Sequence, residues 1–206
     1  VASFTIVDYG VGNLTSIQNM LKKAGTEAII SGKPEEIASA TKLLLPGMGH
    51  FDNCMEKFSN SGLRPLIEKK VFEDKVPILG ICVGLQMFMR SSEEGKLPGL
   101  GWINGDTVRF RSDKMDSSLK VPNMGWLEIN VTKTSKLMQS LEQARFYFAH
   151  SYHVQLDEAS SQLITAHYGY DYVVGVEWNN IIGVQFHPEK SHRFGMQLLK
   201  NFATNY

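Results

Sequence analysis

Cysteine is scarce: the 206 residues hold two, Cys54 and Cys82, in unlike contexts. So few thiols exclude a disulfide framework and suit the reducing cytoplasm. An excess of one charge is also lacking, because 21 Lys and Arg balance 21 Asp and Glu. Without a basic surplus or a polybasic stretch, neither nucleic acid nor a membrane surface is an expected partner. Long apolar runs are missing too. Residues 76–88 are interrupted by Pro77, Gly80, Gly84 and Gln86, short of the roughly 20 residues that span a bilayer. Residues 1–8 carry no basic n-region and read as a strand rather than a secretory leader. His50, His153, His167 and His192 lack Cys or carboxylate companions at ligand spacing, so no metal site is expected. Gly10-Val11-Gly12 follows a strand, but Thr15 stands where a dinucleotide loop needs its third glycine.

What is present reads as a single domain, 1–206, long enough to bury roughly 70% of its unfolded surface. The first half alternates strand and helix. Strands are predicted at 3–8, 27–31, 42–45 and 76–81, and helices at 14–24, 34–39, 52–58, 63–73 and 83–90. The helix at 14–24 shows the logic: Leu14, Ile17, Met20, Leu21 and Ala24 recur at helical spacing and Gly25 closes it. This alternation predicts an α/β three-layer sandwich with a mostly parallel central sheet. Active sites in such sheets lie at the carboxyl ends of the strands, here the loops 9–13, 46–50 and 80–84. The second half carries short strand-like pieces at 108–111, 127–131, 145–149, 162–167 and 173–178, read as antiparallel additions. A buried strand at 181–186 delivers His187, a helix at 193–202 closes the chain, and 112–118 reads as a mobile polar loop.

Gly80-Ile81-Cys82-Val83-Gly84 is the cysteine form of a strand–turn–helix nucleophile elbow. A nucleophile on a tight turn needs small neighbours so that strand and helix approach closely. The amides opening the next helix favour thiolate, and the Val83 N–H is placed to stabilise an oxyanion. The plain alternative is a buried cysteine between two packing glycines. Cys54, lacking such a turn, reads as an inert helix residue. His187-Pro188-Glu189 ends the strand at 181–186. Imidazole titrates in the range that acid–base work needs, and a carboxylate orients it through the second ring nitrogen. Residues two apart in extended chain share a face, so Glu189 reaches His187.

These segments together resemble class I, or triad, glutamine amidotransferases. Pro46-Gly47-Met48-Gly49, Pro122-Asn123-Met124-Gly125-Trp126, His150-Ser151-Tyr152 and His187-Pro188-Glu189-Lys190-Ser191 are similar to the glutaminase subunits of imidazole glycerol phosphate synthases. The resemblance implies a flavodoxin-like sheet, Cys82 as nucleophile, His187 as acid and base, and Glu189 as its orienting carboxylate. It assigns Met48, Gly49 and Val83 to the oxyanion hole, and Gln86, Glu94, His150, Ser151 and Tyr152 to glutamine, the last three mainly through backbone. Pro122, Trp126 and Lys190 match positions at a synthase interface. No cofactor is implied. The implied substrate is L-glutamine and the implied partner a (β/α)8-barrel cyclase in a heterodimer, within histidine biosynthesis. Thr15 and Asn123 depart from the histidine-pathway pattern, so a sister glutaminase feeding a surface-sugar amidotransferase stays open. The other readings are a stand-alone cysteine hydrolase and a non-catalytic regulatory subunit.

Overall fold

The computed structural model describes residues 3–206. Val1 and Ala2, which begin the stretch read as a strand, lie outside them. The first half runs β1 (Ser3–Val7), α1 (Leu14–Lys23), β2 (Ala28–Ser31), α2 (Pro34–Ala38), β3 (Ala40–Gly47), α3 (Phe51–Asn60), α4 (Arg64–Glu68), β4 (Ile78–Cys82) and α5 (Val83–Met87). The second half runs β5 (Gly105–Arg109), β6 (Asn123–Val131), β7 (Arg145–His150), β8 (Tyr152–Leu156), β9 (Gln162–His167), β10 (Asp171–Trp178), β11 (Ile181–Val184) and α6 (His192–Asn205).

The sheet is ordered β2-β1-β3-β4-β11-β10-β9-β6-β7, with β8 pairing β10 and β5 pairing β8. Pairings from β2 to β11 are parallel, and those from β11 onward antiparallel. Every residue of β4 and β11 is buried, as expected of central parallel strands covered on both faces. The Asn13 side chain caps α1 on the Ser16 N–H, Ile17 and Leu21 face the core, and Lys22 and Lys23 occupy the last turn.

Several predicted boundaries move for physical reasons. The helix expected to reach residue 90 stops at Met87. The amides that would extend it go elsewhere: Phe88 N and Met89 N bond three residues back, to Leu85 O and Gln86 O, and Arg90 N donates to Gly105 O, while amides at 100–103 take the free carbonyls of Met87, Phe88 and Met89. β3 continues through Pro46 and Gly47, in register with Ile81 and Cys82. The β1 ladder has ended by then, at Leu44, so proline's missing N–H costs no rung there. The helix expected over 63–73 changes to a π-helical turn at Lys69–Glu73. The strand expected at 108–111 forms earlier, at Gly105–Arg109, where β8 supplies its partner. β8 itself has no counterpart among the expected strands. Within 112–118 lie a 3-10 turn, Ser112–Lys114, and Met115, which packs partly buried against the core.

Candidate active site

Cys82 sits where β4 becomes α5, with φ 55° and ψ −113°. A non-glycine residue in that region stores about 1–3 kcal/mol of strain, which persists only where the surroundings fix it. Here they do. Cys82 is in register with Gly47 of β3, and the next residue already starts α5. A Cβ on Gly84 would lie 2.1 Å from Leu45 O, and one on Gly80 2.6 Å from the Phe88 ring. The small neighbours of the elbow are therefore steric requirements. α5 has five residues, so its macrodipole is slight and any aid to the sulfur comes from the nearest amides.

His187 arrives three residues beyond β11 and is clipped in place by its backbone. Its N–H donates to Tyr147 O (2.9 Å), and its carbonyl accepts from Ser191 Oγ (2.6 Å). Ser191 Oγ in turn accepts from Tyr147 N (3.0 Å). His187 Nδ1 lies 2.8 Å from Glu189 Oε1, with side chains only 5% and 3% exposed. That bond places the proton on Nδ1 and leaves Nε2 for the cysteine side. Burial works to lower the imidazole pKa. Hydrogen bonding and charge from Cys82 and Glu189 overcome it and push the pKa up to about 10. Glu189 Oε2 is buried without a hydrogen-bond partner among the described residues, so the carboxylate leans on His187.

A cleft of about 340 Å³ opens beside this pair. Met48, Gly49, Cys82, Val83, Gln86, Glu94, Pro122, His150, Ser151, Tyr152, His187 and Lys190 all line it. Two of the expected site residues do not: Glu189 lies behind His187, and Trp126 lies on the surface beyond, 38% exposed. Trp126 stacks on His192 at 5.5 Å with planes 3° apart. Lys190 Nζ sits 5.9 Å from the centre of the Tyr147 ring. Glu94 Oε2 accepts from Phe51 N (2.9 Å), which pins its carboxylate to the start of α3. Gln86 Nε2 donates to Tyr152 O and to Gln185 Oε1, both at 3.1 Å. The His150 ring is turned inward, onto Tyr152 O (2.7 Å) and Tyr172 Oη (3.3 Å), so its segment offers backbone to the cleft. Burial lowers the His150 pKa to about 3, so that ring is neutral.

Gln185 is a site residue that the sequence reading misses. It is fully buried, and because Gln86 donates to its oxygen, its Nε2 faces Cys82 Sγ, 3.6 Å away. A polar residue two before His187 in an otherwise apolar strand is the available signal, since it shares the histidine's face. Met124, 66% exposed and paired with the cleft residue Ala149, is missed as well. Cys54 is buried on α3, with its thiol pKa pushed up by desolvation, which suits its reading as no nucleophile. Among the described residues no group of His, Cys, Asp or Glu could hold a metal ion, and no helix is long and apolar enough to cross a membrane.

Comparison with known proteins extends the geometry. A protein of Methanococcus maripaludis named imidazole glycerol phosphate synthase subunit HisH 2 is 48% identical over 198 residues, covering 96% of each chain. The imidazole glycerol phosphate synthase subunit HisH of Bdellovibrio bacteriovorus is 45% identical over 199 residues, covering 96% of this chain and 98% of the other. In fold alone, the chain resembles a chain from the structure of PurLQS of Thermotoga maritima (TM-score 0.72, 18% identity, covering 100% and 98%). Residues 5–206 match the model of the family described as glutamine amidotransferase class-I, and to that family the chain belongs.

Proposed function

We propose that this chain is the glutaminase subunit of an imidazole glycerol phosphate synthase: it hydrolyses L-glutamine and passes the ammonia to a (β/α)8-barrel cyclase partner in a cytoplasmic heterodimer serving histidine biosynthesis. The observation that carries the chemistry is the buried Glu189–His187 pair, coupled to Cys82 at the wall of one cleft. The identity of 45–48% to synthase subunits over nearly the whole length supports the pathway.

Cys82 gives its thiol proton to His187 Nε2 as its sulfur attacks the carboxamide carbon of glutamine, and the carbonyl electrons move onto oxygen. The Val83 N–H and that of Met48 or Gly49 receive this oxyanion; one such donor is worth about 10²–10³ in rate. His187 gives its Nε2 proton to the departing nitrogen, the C–N bond breaks, and ammonia leaves a γ-glutamyl thioester. His187 then takes a proton from water, whose oxygen attacks the thioester. The C–S bond breaks to release glutamate and restore Cys82. Glu189 holds the imidazole in one tautomer through both steps. Gln86, Glu94 and the backbone of 150–152 hold the substrate; the Glu94 carboxylate suits the α-ammonium group. No metal or organic cofactor enters, and the domain 1–206 acts as one unit.

Ammonia serves a partner only while unprotonated, so the partner must cover the cleft. Pro122, Trp126 and Lys190 are assigned to that docking face, and the exposure of Met48 (39%), Met124 (66%) and Trp126 (38%) supports it. The sugar-amidotransferase alternative draws on Thr15 and Asn123. Asn123 is buried and donates to Tyr172 Oη (3.2 Å), so it bears on internal packing and not on docking.

The test is glutamate release by the chain alone, then with a histidine-pathway cyclase and its nucleotide substrate. Strong stimulation is expected, abolished by Cys82→Ala. Hydrolysis surviving in Cys82→Ala would overturn the chemistry. Hydrolysis indifferent to the loaded cyclase would move the chain to another partner.

A further inference from the structure

Two buried side chains that this chemistry leaves unused stand behind residues 46–49. Cys54, fully buried on α3, donates through Sγ to Met48 O at 3.3 Å. Tyr9, just after β1 and 6% exposed, donates through its hydroxyl to Pro46 O and lies 3.5 Å from Met87 Sδ. Neither lines the cleft.

Pro46 and Gly47 close β3, and Met48 follows directly. The carbonyls of Pro46 and Met48 each meet one of these two buried donors. A trans peptide carries its oxygen and its amide proton on opposite edges. Holding the oxygens of Pro46 and Met48 from behind turns the amides of Gly47 and Gly49 to the other edge. Gly47, in register with Cys82, seats the segment against β4, and the Gly49 amide is the one left for the oxyanion. Two side chains outside the cleft thus set the peptide planes of the segment that lines it.

We propose that Cys54 and Tyr9 are positioning residues for the oxyanion: by pinning the carbonyls of Met48 and Pro46, they set the segment's amide donors relative to Cys82. The inference rests on the glutaminase reading and deepens it. Each residue acts through the backbone of 46–49, not on the substrate. Loss of either anchor should misalign donors whose worth depends on direction, while leaving the Cys82–His187 pair untouched.

The experiment uses the complex with its cyclase and compares wild type with Cys54→Ala, Cys54→Ser, Tyr9→Phe and Cys82→Ala. Two rates are read: glutamine hydrolysis, as kcat and KM, and alkylation of Cys82 by iodoacetamide, by mass spectrometry of the tryptic peptide. Alkylation displaces iodide from a tetrahedral carbon and forms no oxyanion, so it reads the cysteine–histidine pair alone. In Cys54→Ala and Tyr9→Phe, kcat should fall about tenfold, a part of what one oxyanion donor is worth. KM should stay within about twofold and alkylation should be unchanged. Cys54→Ser keeps a donor and should recover most of the lost kcat. Wild-type kcat in both Cys54→Ala and Tyr9→Phe would overturn the proposal, as would alkylation falling in step with hydrolysis, or a serine variant as slow as alanine. Hydrolysis retained by Cys82→Ala would overturn the glutaminase reading itself, a separate result in the same assay.

Discussion

At His187 two effects oppose one another. Burial favours the neutral ring, yet Cys82 and Glu189 hold the proton on it, with the pKa pushed up to about 10. Glu189→Gln keeps a side chain of the same shape and an oxygen for Nδ1–H, but removes the charge. The expected result is a fall in kcat of about 10- to 100-fold, a fraction of what general acid–base catalysis supplies. The alkaline limb of kcat/KM should also move to lower pH, since the imidazole loses the carboxylate that raises its pKa. A steady-state pH profile checks both; an unmoved limb would mean that Glu189 does not govern His187. At this scale much is readable from the chain. Cysteine between glycines and His-Pro-Glu after an apolar run are each ordinary alone and gain weight together, because the spacing of each has a mechanical cause. Gln185 is harder, because its role depends on Gln86 fixing which end of its amide faces the sulfur. No single segment contains that information.

Among the elements, the turn from β4 into α5 depends on how closely β3 passes beneath it. A Cβ at position 84 would fall 2.1 Å from Leu45 O, a backbone atom of a central strand that has nowhere to go. Gly84→Ala is therefore expected to lower stability by about 1–3 kcal/mol, as overpacking in a close-packed core does. Glutaminase activity should fall further than folded fraction, because Cys82 is two residues away. Urea unfolding beside activity per folded protein checks this; a fully stable, fully active variant would refute the steric account. The same elbow shows why some elements are legible and others not. β4 and β11 are short apolar runs holding one glycine each, visible without a partner. α5 stops early where Arg90 N leaves the helical pattern for Gly105 O, a partner 15 residues on that the local sequence does not announce. β5 reads Gly-Asp-Thr-Val-Arg, poor in strand formers, and owes its pairing to β8. β8 reads Tyr-His-Val-Gln-Leu, which does alternate, but it is only five residues long and its burial does not follow the pattern, since His153 and Val154 are both buried.

Across the whole molecule, the two halves of the chain meet at the cleft: β4 supplies Cys82, and the backbone of His187 is clipped to β7. Two histidines buried there respond to pH with opposite signs. His187 has its folded pKa raised, to about 10, so its contribution to stability is complete below about 6.5 and fades as pH climbs toward 10. His150 has its folded pKa lowered, to about 3, by burial in the ring cluster with Phe110 and Tyr172. The unfolded chain takes up a proton near pH 6.5 that folded His150 refuses, so its contribution is lost as pH falls from there toward 3. A fully buried group of this kind changes stability by up to about 1.4 kcal/mol per pH unit across that window. The neighbouring His153 is lowered by burial as well and acts with the same sign. His150→Gln should therefore flatten the acid limb without abolishing it, because His153 still titrates. Urea unfolding from pH 4 to 7 reads that slope directly. An acid limb as steep in His150→Gln as in wild type would assign acid sensitivity to the carboxylates instead. A shallower one would mean that the segment behind residues 150–152 holds its shape only while its imidazole stays neutral.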